Sequence, residues 1–463
     1  MTEQLKLKLN DSKATRWGAL VIVAFTMMAA YYVNDVVAPL KTMLETDLAW
    51  SSTDFGFFTG GYSFLNVFFL MLIWGGLILD RFGIRFTGKL ATILMVGGTA
   101  LEYYAMTGLA GADATLFGIN EIFGYKTGVF VAFAGYSIFG VGAEVAGITV
   151  SKIIAKWFKG KELATAMGVQ VALARIGSQA GYAVAIPLAR AFGISTPVLL
   201  GLVLLLGGMI AFFIFAVMDK KLDKQMEAAA IAAGTEDEEE KFSFKDVKNI
   251  LVNPGFWLIA LLCVLFYSCV FPFQKFASEL MIIKYGINEN VAGTFAGLPA
   301  LGALILTPVF GGFIDKRGKS ASIMLLGSAM LICVHFIYAI PDINYWLVAI
   351  VLMIILGIAF SLVPSAMWPA VAKIFPVSQL GTAYALIFFI QNIGLWGIPT
   401  LIGGVLDDYC ISGKKPDGTN MYDYTVPMCI FTGIACLSLI VALLLKKADK
   451  KYGYKLEEPN IQK

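Results

Sequence analysis

The chain reads as an all-α membrane protein with twelve transmembrane helices in two pseudo-symmetric six-helix bundles. Three observations carry that reading. Hydrophobic residues make up 58% of the 463 residues and charged ones only 14%, against about a quarter charged in a soluble globular domain. Twelve apolar runs are long enough to cross a bilayer, which takes about 20 residues. The two halves also repeat the same short motifs in corresponding connections.

The runs fall near 17–41, 53–79, 87–109, 127–151, 162–189, 196–218, 255–284, 289–314, 320–340, 345–373, 379–405 and 426–445. The first follows a polar, basic segment that ends at Arg16. It is too long for a secretory signal and reads as a retained span. The 47 glycines suit closely packed membrane helices. Connections alternate between basic and nearly uncharged. With both termini cytoplasmic, the inner segments hold 27 Lys and Arg residues and the outer ones six, namely Lys41, Lys126, Arg190, Lys284, Lys414 and Lys415. That asymmetry orients the chain with both ends inside.

Residues 1–218 form the N-terminal bundle, 219–254 a charged cytoplasmic linker, and 255–463 the second bundle with its tail. The acidic run Glu236–Glu240 reads as solvated spacer. Phe242, Phe244 and Val247 would form the apolar side of a surface helix. GGLILDRFGIR from Gly75 is echoed by GGFIDKRGK from Gly311, which places Asp80 and Asp315 235 residues apart. KWFKGKELATA from Lys156 and KIFPVSQLGTA from Lys373 share Lys, Phe, Leu, Thr and Ala at an offset of 217. Duplicated halves of this kind enclose a midplane site in many secondary transporters.

Glu144 and Arg175 are lone ionisable residues within the fourth and fifth runs. A charge at that depth is expensive and points to a functional site by default. Arg175 lies 13 residues beyond Glu162, or about 20 Å into a core of about 30 Å. Its planar fork suits a carboxylate. Glu144, among Gly140, Gly142, Ala143, Ala146 and Gly147, can meet an ammonium group or carry a proton. The two could instead form a structural ion pair. The repeat offset maps Arg175 onto Asn392. Trp368 lies between Pro364 and Pro369, which favour a kink, and could wall a cavity. Tyr62 and Asn66 are one turn apart and face the same way. Tyr32 and Asp35 are further candidate lining. Pro272, Gln274 and Lys275 interrupt the seventh run and mark a candidate outer gate, with Lys275 alternatively reaching outward. His335 and Glu102 read as structural.

The six cysteines form neither a disulfide framework nor a metal spacing. Gly318-Lys319-Ser320 mimics the end of a phosphate loop, but Phe313 stands where its first glycine is required. No enzymatic cluster, cofactor, metal or nucleic-acid partner is implied. The expected partners are the bilayer and a small-molecule substrate, and no accessory subunit is indicated.

Asp80-Arg81-Phe82-Gly83-Ile84-Arg85 resembles the signature loop of the major facilitator superfamily, with a weaker copy around Asp315 and Arg317. The resemblance implies the major facilitator fold. It also implies that Asp80, Arg81, Gly83, Arg85, Asp315 and Arg317 belong to a cytoplasmic gate. FGVGAE, KWFKGKEL, ALARIGS, AMWPAVA and QLGTAYALIFFIQNIGL together resemble the lysosomal dipeptide uniporter branch. That likeness implies transport of short peptides by alternating access, with Glu144, Arg175, Trp368, Gln391 and Asn392 as cavity residues. It does not extend to compartment signals. The tails have no acidic dileucine signal, and the one glycosylation triplet, Asn10-Asp11-Ser12, falls on the inner side. The expected location is therefore a bacterial plasma membrane. Two other functions fit the same residues: a proton-coupled organic anion transporter, with Arg175 on the anion and Glu144 carrying the proton, and a receptor or scaffold that does not translocate its ligand. The ExxER pattern of proton-coupled peptide transporters does not occur in the first span.

Overall fold

A computed structural model describes residues 8–111, 114–158, 161–233 and 244–459. Glu236–Glu240 and Phe242 of the linker lie outside them. In the first half the helices are α1 (Lys13–Val36), α2 (Lys41–Leu48), α3 (Ser52–Phe68), α4 (Met71–Thr107), α5 (Thr127–Phe158), α6 (Leu163–Phe192) and α7 (Thr196–Ala233). α8 (Phe244–Val252) precedes the second half. That half holds α9 (Pro254–Tyr285), α10 (Glu289–Ala296), α11 (Leu298–Arg317), α12 (Ser320–Ala339), α13 (Trp346–Ile374), α14 (Val377–Tyr409) and α15 (Thr425–Tyr452).

Among the described residues, nine helical segments are long and apolar enough to cross a bilayer, and the bent pair α3–α4 makes a tenth. The α3–α4 pair supplies two crossings rather than one, because α4 turns back within its length. At Gly83 its backbone turns to φ 75, ψ 173, a conformation that L side chains rarely adopt and glycine enters at little cost. α6, whose apolar run is interrupted by Arg175 and Arg190, is the twelfth. An even number of crossings puts both chain ends on one face, called here the terminal face; the opposite one is the far face.

Three details depart from the expected runs. The run 53–79 is not one straight helix: α3 and α4 meet at 58°, with Leu70 at φ 54. The run 289–314 breaks at Gly297 into α10 and α11. α13 continues as helix through Pro364 and Pro369. Two short hairpins cap the far face. One pairs β1 (Glu121–Ile122) with β2 (Tyr125–Lys126), and the other pairs β3 (Ile411–Lys414) with β4 (Asn420–Tyr422).

The halves meet chiefly where α3 packs on α14 and where α6 packs on α10 and α11. The far-face ends of α3 and α14 touch backbone to backbone. A Cβ added at Gly56 would lie 2.4 Å from the Pro399 carbonyl oxygen, and one at Gly403 would lie 2.3 Å from that of Ser52. Asp407 of α14 strengthens this seam by accepting from the Ser52 and Thr53 amides at 3.3 and 2.6 Å. A carboxylate there complements the positive end of α3. Gly56→Val should therefore prop the far face open. A cysteine placed at Ser278, 1% exposed, should then become reactive to an impermeant maleimide applied from the far side. Unchanged reactivity would remove this seam from the closure.

Candidate functional site

A cavity of about 650 Å³ lies between the halves. Tyr31, Tyr62, Glu144, Gln170 and Arg175 line its N-terminal wall, and Tyr267, Lys275, Trp368, Tyr384 and Gln391 its C-terminal wall. Glu144, Arg175 and Lys275 are its three charged lining residues.

Close packing of α5 on α3 brings Glu144 to the cavity. A Cβ at Gly140 would sit 2.0 Å from the Tyr62 carbonyl oxygen. Tyr62 in turn donates its hydroxyl to Glu144 Oε1 at 3.1 Å. The alternative of a structural pair with Arg175 is not what forms: among the described residues no ion pair joins them. Arg175 lies over the rings of Tyr31 and Phe360, with its Cζ 5.6 and 4.9 Å from their centroids. Aromatic faces stabilise the flat sides of a guanidinium. The donors in its plane are the groups a carboxylate engages.

On the opposite wall, Trp368 stacks on Phe388 with centroids 4.7 Å apart. Its Nε1 donates to the Tyr267 hydroxyl at 3.3 Å, and Tyr384 donates to its backbone carbonyl at 3.0 Å. Gln391 reaches the cavity while its Oε1 accepts from Cys263 Sγ at 3.3 Å. Asn66 and Asn392 stand behind the lining, 2% and 1% exposed. Helical geometry accounts for both. A step of four residues rotates Asn66 about 40° past Tyr62, and neighbours such as Gln391 and Asn392 diverge by about 100°. Asn392 Nδ2 donates to the Phe388 carbonyl at 2.9 Å. Tyr32 is also turned away, donating to the Pro197 carbonyl at 3.2 Å. His335, fully buried, places Nε2 3.0 Å from the Cys269 carbonyl oxygen between Phe273 and Phe431.

Beyond the cavity, charged contacts seal the far face. Lys275 does not reach outward. Its Nζ crosses to the first half, 2.6 Å from the Asn34 carbonyl, 3.2 Å from Asp35 Oδ1 and 3.4 Å from the Tyr136 hydroxyl. Ser178 and Asn34 also donate to Asp35. A second layer is nearly dry. Lys41 Nζ lies 2.5 Å from both Glu45 Oε1 and Glu279 Oε2. Lys415, carried in by the β3–β4 connection, lies 3.6 Å from Glu45 and 3.7 Å from Glu279. Tyr424 donates to Glu279, and Ser52 donates to Glu45 at 3.2 Å. Sequence reasoning missed this quartet. It counted Lys41 and Lys415 as loop charges and overlooked Glu279, a lone acid inside an apolar run. The Lys41–Glu45 spacing of four residues was the available signal.

The first-half signature residues Asp80 and Arg85 pair within their own half. Asp80 pairs with Lys152 at 3.0 Å and Arg85 with Asp223 at 2.9 Å. Lys156 joins Asp219 at 2.8 Å and Asp223 at 2.5 Å. The Arg81 and Arg317 guanidiniums lie over the Phe82 and Phe313 rings. Asp315 is half-buried near the end of α11. On the terminal face these contacts fasten α4 to α5 and α7, all within the first half. There the cavity reaches Ser151 and Val171, the latter 45% exposed. The structure is closed at the far face and open toward the terminal face.

Two six-helix bundles around a central cavity, sealed at one face, define a membrane transporter. The chain belongs to the Major Facilitator Superfamily, whose sequence pattern matches residues 20–399. Among curated relatives, the human lysosomal dipeptide transporter MFSD1 is 29% identical over 408 residues, covering 85% of this chain and 80% of its own. The zebrafish (Danio rerio) protein of the same name is 26% identical over 441 residues, covering 93% and 86%. Solved structures share the fold at lower identity. The nucleoside transporter NupG aligns with a TM-score of 0.68 at 12% identity, over 92% of this chain and 98% of its own. The inward-open xylose transporter XylE from E. coli gives 0.65 at 15% identity, over 93% and 96%.

Removing Lys41 strands two buried carboxylates. Lys41→Met should cost the far-closed form about 3–5 kcal/mol and lower the thermal unfolding midpoint in detergent. The double variant Lys41→Met/Glu279→Leu leaves one lysine and one glutamate, so it should recover most of that loss. A double variant as unstable as the single one would mean that charge balance is not what holds this layer.

Proposed function

We propose that the chain carries small zwitterionic solutes, dipeptides foremost, by alternating access between its two bundles. The observation that carries this reading is the separation of Glu144 from Arg175. An acid bonded to a tyrosine and a guanidinium cushioned by two rings face one cavity without neutralising each other. A substrate with an ammonium at one end and a carboxylate at the other compensates both charges at once. Trp368, Tyr384 and Tyr267 opposite offer ring surfaces that tolerate varied side chains. Gln391 adds an amide for a peptide group. The MFSD1 relatives, named as lysosomal dipeptide transporters, support the same substrate class. In this reading Asp80, Arg85, Asp315 and Arg317 act when the terminal face closes, and the far-face quartet acts when it opens.

Blocked substrates test the ends. Glu144→Gln should weaken binding of free-amino dipeptides far more than of N-acetylated ones. Arg175→Lys, which keeps charge but loses the fork, should weaken free-carboxylate forms far more than amidated ones. Loss of one partner in a buried charged contact costs about 3–5 kcal/mol, or roughly two to three and a half orders of magnitude in affinity, and water in an open cavity reduces it. Wild-type protein that binds doubly blocked dipeptides as tightly as free ones would end this reading. A proton-coupled organic anion transporter, with Arg175 on the anion and Glu144 carrying the proton, would then show uptake driven by an imposed proton gradient that Glu144→Gln abolishes.

The distribution of Lys and Arg supports termini in the cytoplasm, with the far face toward the outside of a bacterial cell or an organelle lumen. Cysteines at Lys220 and Lys414 should label from opposite sides of sealed vesicles. Labelling of both from the same side would reverse or break this topology.

A further inference from the structure

Glu102, near the far end of α4, is a buried acid that neither lines the cavity nor joins an ion pair among the described residues. It is 0% exposed, and neither carboxyl oxygen has a hydrogen-bond partner. One turn earlier, Thr99 is also 0% exposed with its hydroxyl unpartnered. Other buried or helical threonines here, Thr59, Thr107 and Thr149, return their hydroxyls to the carbonyl four residues back; Thr99 does not. α4 and α5 are pressed together at this level. A Cβ at Gly98 would lie 2.4 Å from the Gly135 carbonyl oxygen, and one at Gly135 would lie 2.9 Å from the Glu102 amide.

An ionised carboxylate so enclosed, without a partner, is among the costliest groups a membrane protein can hold. Binding a proton removes the charge. One carboxyl and one hydroxyl are too few for a metal, and no group of three ligating side chains occurs among the described residues. The titratable neighbours are few. α5 presents Tyr136, and Lys275 of α9 reaches the Tyr136 hydroxyl at 3.4 Å. The stretch 196–218 of α7 carries no titratable group. On α3, Asp54 is bonded to Ser51 and Tyr62 to Glu144. On α14, Asp407 is bonded to Ser52, Thr53 and Tyr422. On α1, Asp35 holds Lys275.

We propose that Glu102 is a proton-binding site, loaded while the far face is closed and emptied to the far side when it opens. Tyr136 lines the cavity and also contacts Lys275 through its hydroxyl. Separation of the halves withdraws Lys275 and brings far-side water to Tyr136, whose chain neighbour Gly135 packs on the Glu102 backbone. The proton leaves to that water, and the carboxylate it leaves behind is hydrated. Closure requires the proton back. The closed form thus binds the proton more tightly, so acid favours the far-closed form and rising far-side pH favours the far-open one. This does not depend on which solute is carried.

The test uses purified full-length protein in lipid nanodiscs without substrate. Infrared spectroscopy at neutral pH should show a protonated-carboxyl stretch that Glu102→Gln removes, Glu102→Asp moves and Glu144→Gln leaves in place. In parallel, far-side labelling of a cysteine at Ser278, divided at each pH by that of an exposed cysteine at Lys414 to remove the thiol's own pH dependence, should rise severalfold from mildly acid to mildly alkaline buffer in wild type and stay flat in Glu102→Gln. A wild-type spectrum with no band assignable to Glu102 would mean an ionised group held by buried water, and would overturn the proposal. So would the same pH response in wild type and Glu102→Gln.

Discussion

Two lysines and two glutamates, contributed equally by the two bundles, join the halves at the closed far face. Lys41 and Glu45 come from the first half, and Glu279 and Lys415 from the second. Lys41, Glu45 and Glu279 are at most 5% exposed at the side chain, and Lys415 is 14% exposed. Ions this deep pay a desolvation cost of several kcal/mol each, offset only when every partner is present. The assembled quartet is therefore an all-or-none device. A partial separation of the halves keeps the cost and loses the attraction, so intermediate openings are disfavoured. The Lys275–Asp35 link beneath it follows the same logic with one pair.

The cavity chemistry depends on that closure. With the far face sealed, the guanidinium of Arg175 and the carboxyl of Glu144 sit at the bottom of a vestibule that opens on one side. Low dielectric strengthens their interaction with an opposite charge and penalises leaving them bare. Both residues belong to the first bundle, whereas the aromatic wall belongs to the second. A molecule held by its charged ends on one bundle and by its body on the other touches both moving parts. Its occupancy can then bias their relative position, which is the condition for a ligand to shift a conformational equilibrium.

Much of this was legible in the sequence, for physical reasons. Hydropathy and the uneven Lys and Arg distribution report the bilayer directly, so the twelve crossings and the duplicated halves could be read without a structure. Lone charges such as Glu144 and Arg175 stand out because nothing near them in the chain excuses their cost. Two kinds of feature were hidden. Breaks such as the one at Phe69–Leu70 carry no proline or glycine, and tertiary packing sets them. Partnerships across the halves join residues hundreds of positions apart. Lys275 read equally well as a gate or as an outward-reaching chain until Asp35 was seen beside it. Asn66 and Asn392 stand behind the lining for a smaller reason: sequence spacing fixes a helix face to within tens of degrees, and the cavity wall is narrower than that.

The backbone contact of Gly56 with Pro399, and of Gly403 with Ser52, has an electrical meaning as well as a mechanical one. Where two helices meet with no side chain between them, no file of water molecules fits along the seam. A transporter opens a large aqueous vestibule from one side, and only the remaining seal stands between two compartments. Glycine at these positions makes that seal thin yet dry. The membrane can remain insulating to protons and small ions while a solute much larger than either waits in the vestibule.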